Sequence, residues 1–196
     1  MEDWVLRALA KWPDVPALFG WLSLDRRGRW YVRGEPISRP QIIDTIGRNY
    51  AADEQGRWYF QNGPQRGYVS CETAPLVLLA QPDGSLRTHN GLLVREPRLA
   101  CLDEEGSLLI VTEHGPAALD ASDLDWALSR LRGVDGAVTE DELQGALDQA
   151  SGEPTALTLV LSVDADELTL PVKRLDLAAA PAELGYVRDP QPGAAG

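Results

Sequence analysis

The side chains that most often do chemistry near neutral pH are scarce in this sequence. It has two histidines, His89 and His114, and two cysteines, Cys71 and Cys101. A zinc site would need Cys or carboxylate ligands at recognisable spacing around the histidines. None accompanies them, so neither a metal nor a cofactor is expected. Glu113-His114 sits beside a Gly-Pro turn, and Cys71-Glu72 lies in an apolar stretch. A Cys–His pair makes an activated thiolate only where the two meet, and nothing in the sequence brings Cys71 to either histidine. There is no G-x-S-x-G, phosphate-binding loop or G-x-G-x-x-G. The pairs Asp123/Asp125 and Asp164/Asp166 lack the Gly and terminal Glu of a calcium loop and read as turn and N-cap acids. No catalytic residue is assigned, and the question of an enzyme is left open, leaning against.

The cluster that remains is made of arginine and aromatics: Arg29-Trp30-Tyr31, its echo Arg57-Trp58-Tyr59, and the loop from Gln61 through Asn62, Gly63 and Pro64 to Arg66. Side chains alternate faces along a strand. Trp30, Val32, Trp58 and Phe60 then form a core face, while Arg29, Tyr31, Arg57, Tyr59 and Gln61 face outward. Two readings of the outward lattice stand. One is a cross-strand ladder on an ordinary sheet surface. The other is a binding site for a small anion or an acidic peptide. There Arg29, Arg57 and Arg66 supply charge, Tyr31 and Tyr59 a stacking floor, and Asn62 the rim.

The elements that must position these residues are marked by turns and caps. Four similar turns recur: Asp25 to Gly28, Asp53 to Gly56, Gln81 to Gly84 and Asp103 to Gly106. Asp first and Gly fourth is type I turn chemistry with a glycine bulge, which suits short hairpins. A further hairpin is expected at 157–172, turning at Asp164 to Glu167. Helix starts are read from caps at Ser38-x-x-Gln41, a capping box, and at Ser122-x-x-Asp125 and Thr139-x-x-Glu142. Ile42, Ile43 and Ile46 would line one face of the first; Leu124, Leu128 and Leu131 would point inward from the second. An N-terminal helix over Asp3 to Lys11 would turn Trp4, Val5, Ala8, Leu9 and Trp12 to one side and end at Pro13 and Pro16.

A longer repeat joins these signals. Strand, D-x-x-G, strand, glycine turn and helix run from Leu22 to Tyr50 and again from Ala100 to Leu131, a shift of 78 residues. The expected fold class is α+β: duplicated antiparallel hairpin–helix–hairpin units forming two lobes, with an N-terminal helix. The expected division is 1–21 helix and linker, 22–98 first lobe, 99–180 second lobe, and 181–196 a flexible tail rich in Ala, Pro and Gly.

Composition bounds the partners. The 196 residues are 44% apolar and 24% charged, the range of an ordinary globular protein. The longest apolar run, Ala74 to Ala80, is far shorter than the roughly 20 residues of a membrane span. The acidic start M-E-D-W does not read as a signal peptide. The net charge of −12 argues against nucleic acid. Residues 1–100 carry 13 Lys+Arg against 11 Asp+Glu, and residues 101–196 carry 5 against 19. Five of the six tryptophans lie in the first half. The two isolated cysteines are expected reduced and buried.

The strings G-R-W-Y-V-R-G-E-P-I (28–37), R-N-Y-x-x-D-E-x-G-R-W-Y-F-Q-N-G-P-Q-R (48–66) and Y-V-S-C-E-T-A-P-L (68–76) carry a resemblance. So do A-K-W-P-D-V-P (10–16) and L-G-Y-V-R-D-P (184–190). Together they resemble a family of uncharacterised proteobacterial proteins. They are distantly similar to the domain-of-unknown-function family twelve-eighty-five. Its pattern also runs from a G-x-W-x-Y hairpin to a helix, a second hairpin and an E-D-A-P strand, where this chain has E-T-A-P. The resemblance implies a duplicated α+β fold with no established activity, and it carries over no catalytic residue. The expectation is therefore a cytoplasmic, non-enzymatic binding or regulatory module, conceivably in signalling. It would recognise an anionic small molecule or a partner protein through the first lobe, with no nucleic acid and no membrane. The alternatives are an enzyme with its site between the lobes, using Glu72, His89 or His114, and a structural interaction protein.

Overall fold

The repeated turns form as their chemistry requires. One oxygen of Asp25 accepts from the amides of Arg27 and Arg29, of Asp53 from Gln55 and Arg57, and of Asp103 from Glu105 and Ser107, all at 2.7–3.0 Å. Gly28, Gly56 and Gly106 each donate back to the carbonyl of the Asp and take φ of 74°, 73° and 82°, the left-handed region that glycine enters without a Cβ penalty. In the Gln81 turn the carboxylate sits at the third position, where Asp83 holds Ser85. Each turn thus closes a hairpin with one acid that holds backbone amides and one glycine.

The computed structural model describes residues 2–12, 15–164 and 166–192. The chain divides into two units, 1–75 with 185–196, and 76–184. The first holds α1 (Asp3–Lys11), β1 (Leu18–Leu24), β2 (Trp30–Val32), β3 (Glu35–Pro36), α2 (Pro40–Arg48), β4 (Tyr50–Ala52), β5 (Trp58–Asn62) and β6 (Gln65–Cys71). Its six strands pair in the order β3-β2-β1-β6-β5-β4, with β6 parallel to β1. Trp30 packs edge to face on Tyr50 at a centroid distance of 4.9 Å, Trp58 lies tilted against Tyr50 at 4.8 Å, and Ile46 of α2 is also buried.

The second unit holds β7 (Leu76–Ala80), β8 (Leu86–Thr88), β9 (Leu99–Leu102), β10 (Leu108–Thr112), β11 (Gly115–Leu119), α3 (Leu124–Leu128), β12 (Leu131–Gly133), β13 (Gly136–Ala137), α4 (Glu140–Leu147), β14 (Pro154–Val163), β15 (Asp166–Arg174) and α5 (Ala180–Leu184). Its nine strands run β13-β12-β14-β15-β9-β10-β11-β7-β8, with β15 parallel to β9. Leu76, Leu78, Leu108 to Ile110, Leu157, Leu159 and Val172 form its core. Among the described residues no helix is long and apolar enough to cross a membrane.

The fold is α+β and the duplication is visible as topology. In each unit a three-stranded meander leads to a helix, then a strand, then a hairpin whose last strand returns parallel to the first. The second unit inserts β13 and α4 and extends its far edge with β7 and β8. Those two strands belong to the larger sheet, so the division falls at Pro75/Leu76 rather than near residues 96–100.

Several local expectations are corrected. Ser38 does not cap α2: the N-cap is Arg39, with Pro40 at the first helical position and no side-chain cap bond, because proline there already removes one orphan donor. Ser122 does not cap either; Asp120 accepts from its amide and starts a 3-10 turn. The five-residue α3 is too short to bury a full face, and Leu124 and Leu128 are exposed while Ala127 and Leu131 are buried. The box at Thr139 and Glu142 forms in full. On α1 only Val5 is fully buried, and Trp4 and Trp12 face outward. Pro13, expected to end that helix, and Ala165, in the expected last turn, lie outside the described residues. The segment after 180 is not a free tail: Ala180 to Leu184 is helical, Tyr186 is buried, and Cys71 donates its N–H to the Arg188 carbonyl at 2.7 Å. The last expected tail residues, 193–196, lie outside the described residues.

Candidate functional site

The six residues expected to form one anion site divide into three groups. At the start of β2, Arg29 Nε donates to Asp25 Oδ2 at 2.7 Å and the Tyr31 hydroxyl to the same oxygen at 3.1 Å. Just before β5, Arg57 Nε donates to Asp53 Oδ2 at 2.8 Å, joined there by the hydroxyl of Tyr68 on β6 at 2.9 Å. Arg66 lies over the buried Tyr59 ring at 3.9 Å. β2 and β5 are three strand spacings apart in the sheet, roughly 14 Å. Asn62, with Trp58 and Phe60, points to the opposite face. Strand alternation separates Asn62 from the arginines, and local turn acids neutralise Arg29 and Arg57. Burial pushes the Asp53 carboxyl up, but bonds from Arg57, Tyr68 and the Gln55 amide hold it below its ordinary value. Asp25 behaves alike through Arg29, Arg27 and Tyr31. Arg29 and Arg57 are thus matched by turn acids, while Arg66 donates only to the neutral oxygens of Gln61 and Tyr68, the latter shared with Arg57.

The residues of the alternative enzyme reading are likewise held by structure. Glu72 takes Arg26 Nε at 2.6 Å. His89 is half-buried, its Nδ1 accepts from the Val77 amide at 3.2 Å, and desolvation of its ring brings its pKa down to about 4. His114 Nε2 lies 2.8 Å from the Leu93 carbonyl, and the Glu113 carboxylate beside it accepts from the Arg95 and Glu96 amides. Cys71 and Cys101 are free and buried, their thiols pushed by burial up to about 12 and about 11. Among the described residues no three His, Cys, Asp or Glu side chains gather as a metal set.

The feature that the sequence reading missed lies on the other face of the first sheet. α2 connects the β3 edge to the β4 edge. Nine residues give a helix about 13 Å long, whereas six strands span about 24 Å. The helix therefore cannot cover the face. Its C-terminal half packs, with Ile46 only 2% exposed; its N-terminal half stands off, with Ile42 43% exposed. Between them opens a cleft of 420 Å³. Leu18, Leu22, Phe60 and Gly67 line its sheet side, and Ile42 and Ile46 its helix side. Trp21 stands on the wall with the Arg33 guanidinium 3.5 Å over its ring. The polar groups are peripheral: Ser38 and Arg39 where α2 begins, Asn62 and Gln65 at the β5–β6 turn. Among the described residues the side chains of Ser38, Arg39 and Asn62 make no hydrogen bond or ion pair.

Phe60 and Val32, expected on the core face, are walls of this cleft, as is Ile42. One signal could have found it. Gly67 faces inward on a central strand, where a Cβ would come within 3.0 Å of Leu22. A glycine there withholds the side chain that would otherwise fill the hollow.

A family model, DUF2944, described as protein of unknown function (DUF2946), matches residues 1–191. Two solved structures are also similar. A DUF1285 family protein from Silicibacter pomeroyi DSS-3 shares 17% identity at a TM-score of 0.48, covering 74% of this chain and 100% of that one. A DUF1285 family protein from Shewanella baltica OS155 shares 18% identity at a TM-score of 0.39, covering 53% and 86%. No curated protein matches.

Proposed function

This chain belongs to the DUF2944 family of proteins of unknown function, and from that starting point we propose that it is a non-enzymatic binding or regulatory module. Its ligand is a small molecule with an apolar body and an anionic group, held in the cleft of the first unit. The observation that carries this reading is the cleft itself: an apolar face left uncovered by a short helix, with one cation and two amides at its edge. Its volume falls within the range of small-molecule pockets, which pair apolar walls with a few placed polar groups. The lining holds no His, Cys, Asp, Glu or Lys, so it offers neither a general base nor an activated nucleophile. Binding without chemistry is what such walls support. A cytoplasmic setting belongs to the same proposal and is supported by the two free buried thiols.

A thermal-shift series with amphiphilic acids on the whole protein tests it. A ligand at about 100 times its Kd adds roughly 2.7 kcal/mol. The substitution Val32→Trp, which fills the cleft from the β2 side, is expected to remove the shift. A shift that Val32→Trp leaves intact would place the ligand elsewhere.

A further inference from the structure

Building on the cleft reading, we infer that the ligand is an unbranched acyl carboxylate of about a dozen carbons, laid alongside α2 with its carboxylate at Arg39. Shape carries the first half of this. The lining comes from five adjacent strands, β3 to β5 by way of β2, β1 and β6, through Pro36, Val32, Leu22, Gly67 and Phe60. Four strand spacings cover roughly 19 Å. The cleft, 420 Å³ in volume, is therefore drawn out across the strands, a shape that suits an extended chain. Gly67 keeps the floor clear where the chain crosses the central strand β6.

Polarity carries the second half. Arg39 is the one charged residue of the lining, and it stands at the β3 end because α2 begins there. The Ser38 hydroxyl is beside it. Neither side chain is committed to another described residue. The β5 end offers the amides of Asn62 and Gln65 and no charge. A channel with a guanidinium at one end and apolar walls between fits a molecule with one acidic head and an extended tail. Its carboxylate would accept from Arg39 in a charge-assisted bond, while the tail leaves water against Ile42, Leu22 and Phe60.

Titration of the whole protein with dodecanoate, dodecanol, dodecyltrimethylammonium, butanoate and cholate, all below their micelle concentrations, tests this. Trp21 on the wall gives an emission signal. Dodecanoate is expected to bind at least about tenfold tighter than dodecanol, with the cationic and four-carbon compounds weaker still. Arg39→Ala is expected to bring dodecanoate to within about threefold of dodecanol without moving dodecanol, and Arg39→Lys to restore most of the gap. Equal binding of the three dodecyl compounds, or a dodecanoate preference that survives Arg39→Ala, overturns the head-group assignment and leaves the cleft reading standing. Cholate binding more tightly than dodecanoate overturns the linear shape. Failure of every amphiphile to bind overturns the cleft reading itself, as does binding that survives a folded Val32→Trp; should that variant not fold, Ile42→Phe on the exposed side of α2 makes the same comparison.

Discussion

Shifted by 78 residues, the two units pair the same positions. Leu22 lies opposite Val32 and Leu24 opposite Trp30; Ala100 lies opposite Ile110 and Leu102 opposite Leu108. The parallel strands agree too: Leu22 and Leu24 face Val69 and Cys71, while Ala100 and Leu102 face Val172 and Arg174. The frames are equal but their surfaces are not. In the second unit all four meander residues are buried, whereas in the first Val32 is 38% exposed and Leu22 half-buried. Arg174 is itself buried, donating to the carbonyls of Leu147 and Leu102 and to Asp176. Charge divides the same way. The first unit has 11 Lys+Arg against 10 Asp+Glu, the second 7 against 20. One copy of the frame is closed and acidic; the other is nearly neutral and keeps an opening.

The strongest way to break this comparison is to truncate the paired positions Ile110 and Val32. Ile110→Ala removes a fully buried side chain and is expected to cost about 2–5 kcal/mol. Val32→Ala, on a cleft wall, is expected to stay within about 1 kcal/mol. Urea unfolding followed by circular dichroism measures both. Comparable losses would mean that Val32 is core and the cleft is closed in solution.

A second test sharpens the contrast through pH. Both histidines lie in the second unit. The folded pKa of His89 is brought down from 6.5 to about 4 by burial. Between those values the unfolded chain holds a proton that the folded chain does not. Stability is therefore full above pH 6.5 and falls as the pH drops, by at most about 1.4 kcal/mol per pH unit from this group. The depressed carboxylates, such as Glu72 and Glu113, start from 4.5 and lose their contribution lower still. His89→Asn keeps an acceptor for the Val77 amide and is expected to flatten the urea midpoint between pH 6.5 and 5. An unchanged slope in that variant would move the titration to another group.

How far the sequence could be read follows from the range of each signal. The D-x-x-G turns are complete within five residues, so Asp25, Asp53 and Asp103 could be read directly, and the 78-residue repeat with them. Strand alternation put Trp30 and Trp58 on one buried face for the same reason. What failed depended on lengths and on distant partners. Ser38 and Gln41 have the spacing of a capping box, but Pro40 between them moves the helix start. The β7–β8 hairpin has the pattern of a first-lobe hairpin and pairs instead with β11. The candidate site was placed on the arginine face because charge invites a ligand. Whether Arg29 and Arg57 are free depends on where Asp25 and Asp53 turn their second oxygens, and whether a core face is covered depends on how far a nine-residue helix reaches.

The helix caps allow a finer test, since one box forms and the other does not. The Thr139 hydroxyl accepts from the Glu142 amide while Glu142 accepts from Thr139. Thr139→Ala is expected to cost about 1 kcal/mol, read as a lowered urea midpoint. The same change at the same expected spacing in the first unit should then do nothing comparable. A loss of similar size at Ser38 would show that the hydroxyl caps α2 in solution.

Ser38→Ala carries the smallest expected effect on stability and for that reason says most about the cleft. The hydroxyl caps nothing, is exposed, and lies on the lining next to Arg39. Its removal should leave stability within about 0.5 kcal/mol. If an acidic head group sits at Arg39, the hydroxyl is placed to donate a second bond to it, and a net hydrogen bond of this kind is worth roughly threefold in affinity. Dodecanoate should therefore bind about threefold more weakly to Ser38→Ala while dodecanol, with no charge to hold there, changes less. Combined with Arg39→Ala the serine effect should vanish, because the head group no longer has a fixed position from which to reach it. A serine effect that persists without Arg39 would put the head group on Ser38 and the α2 amides, and Arg39 would then only steer ligands to the cleft.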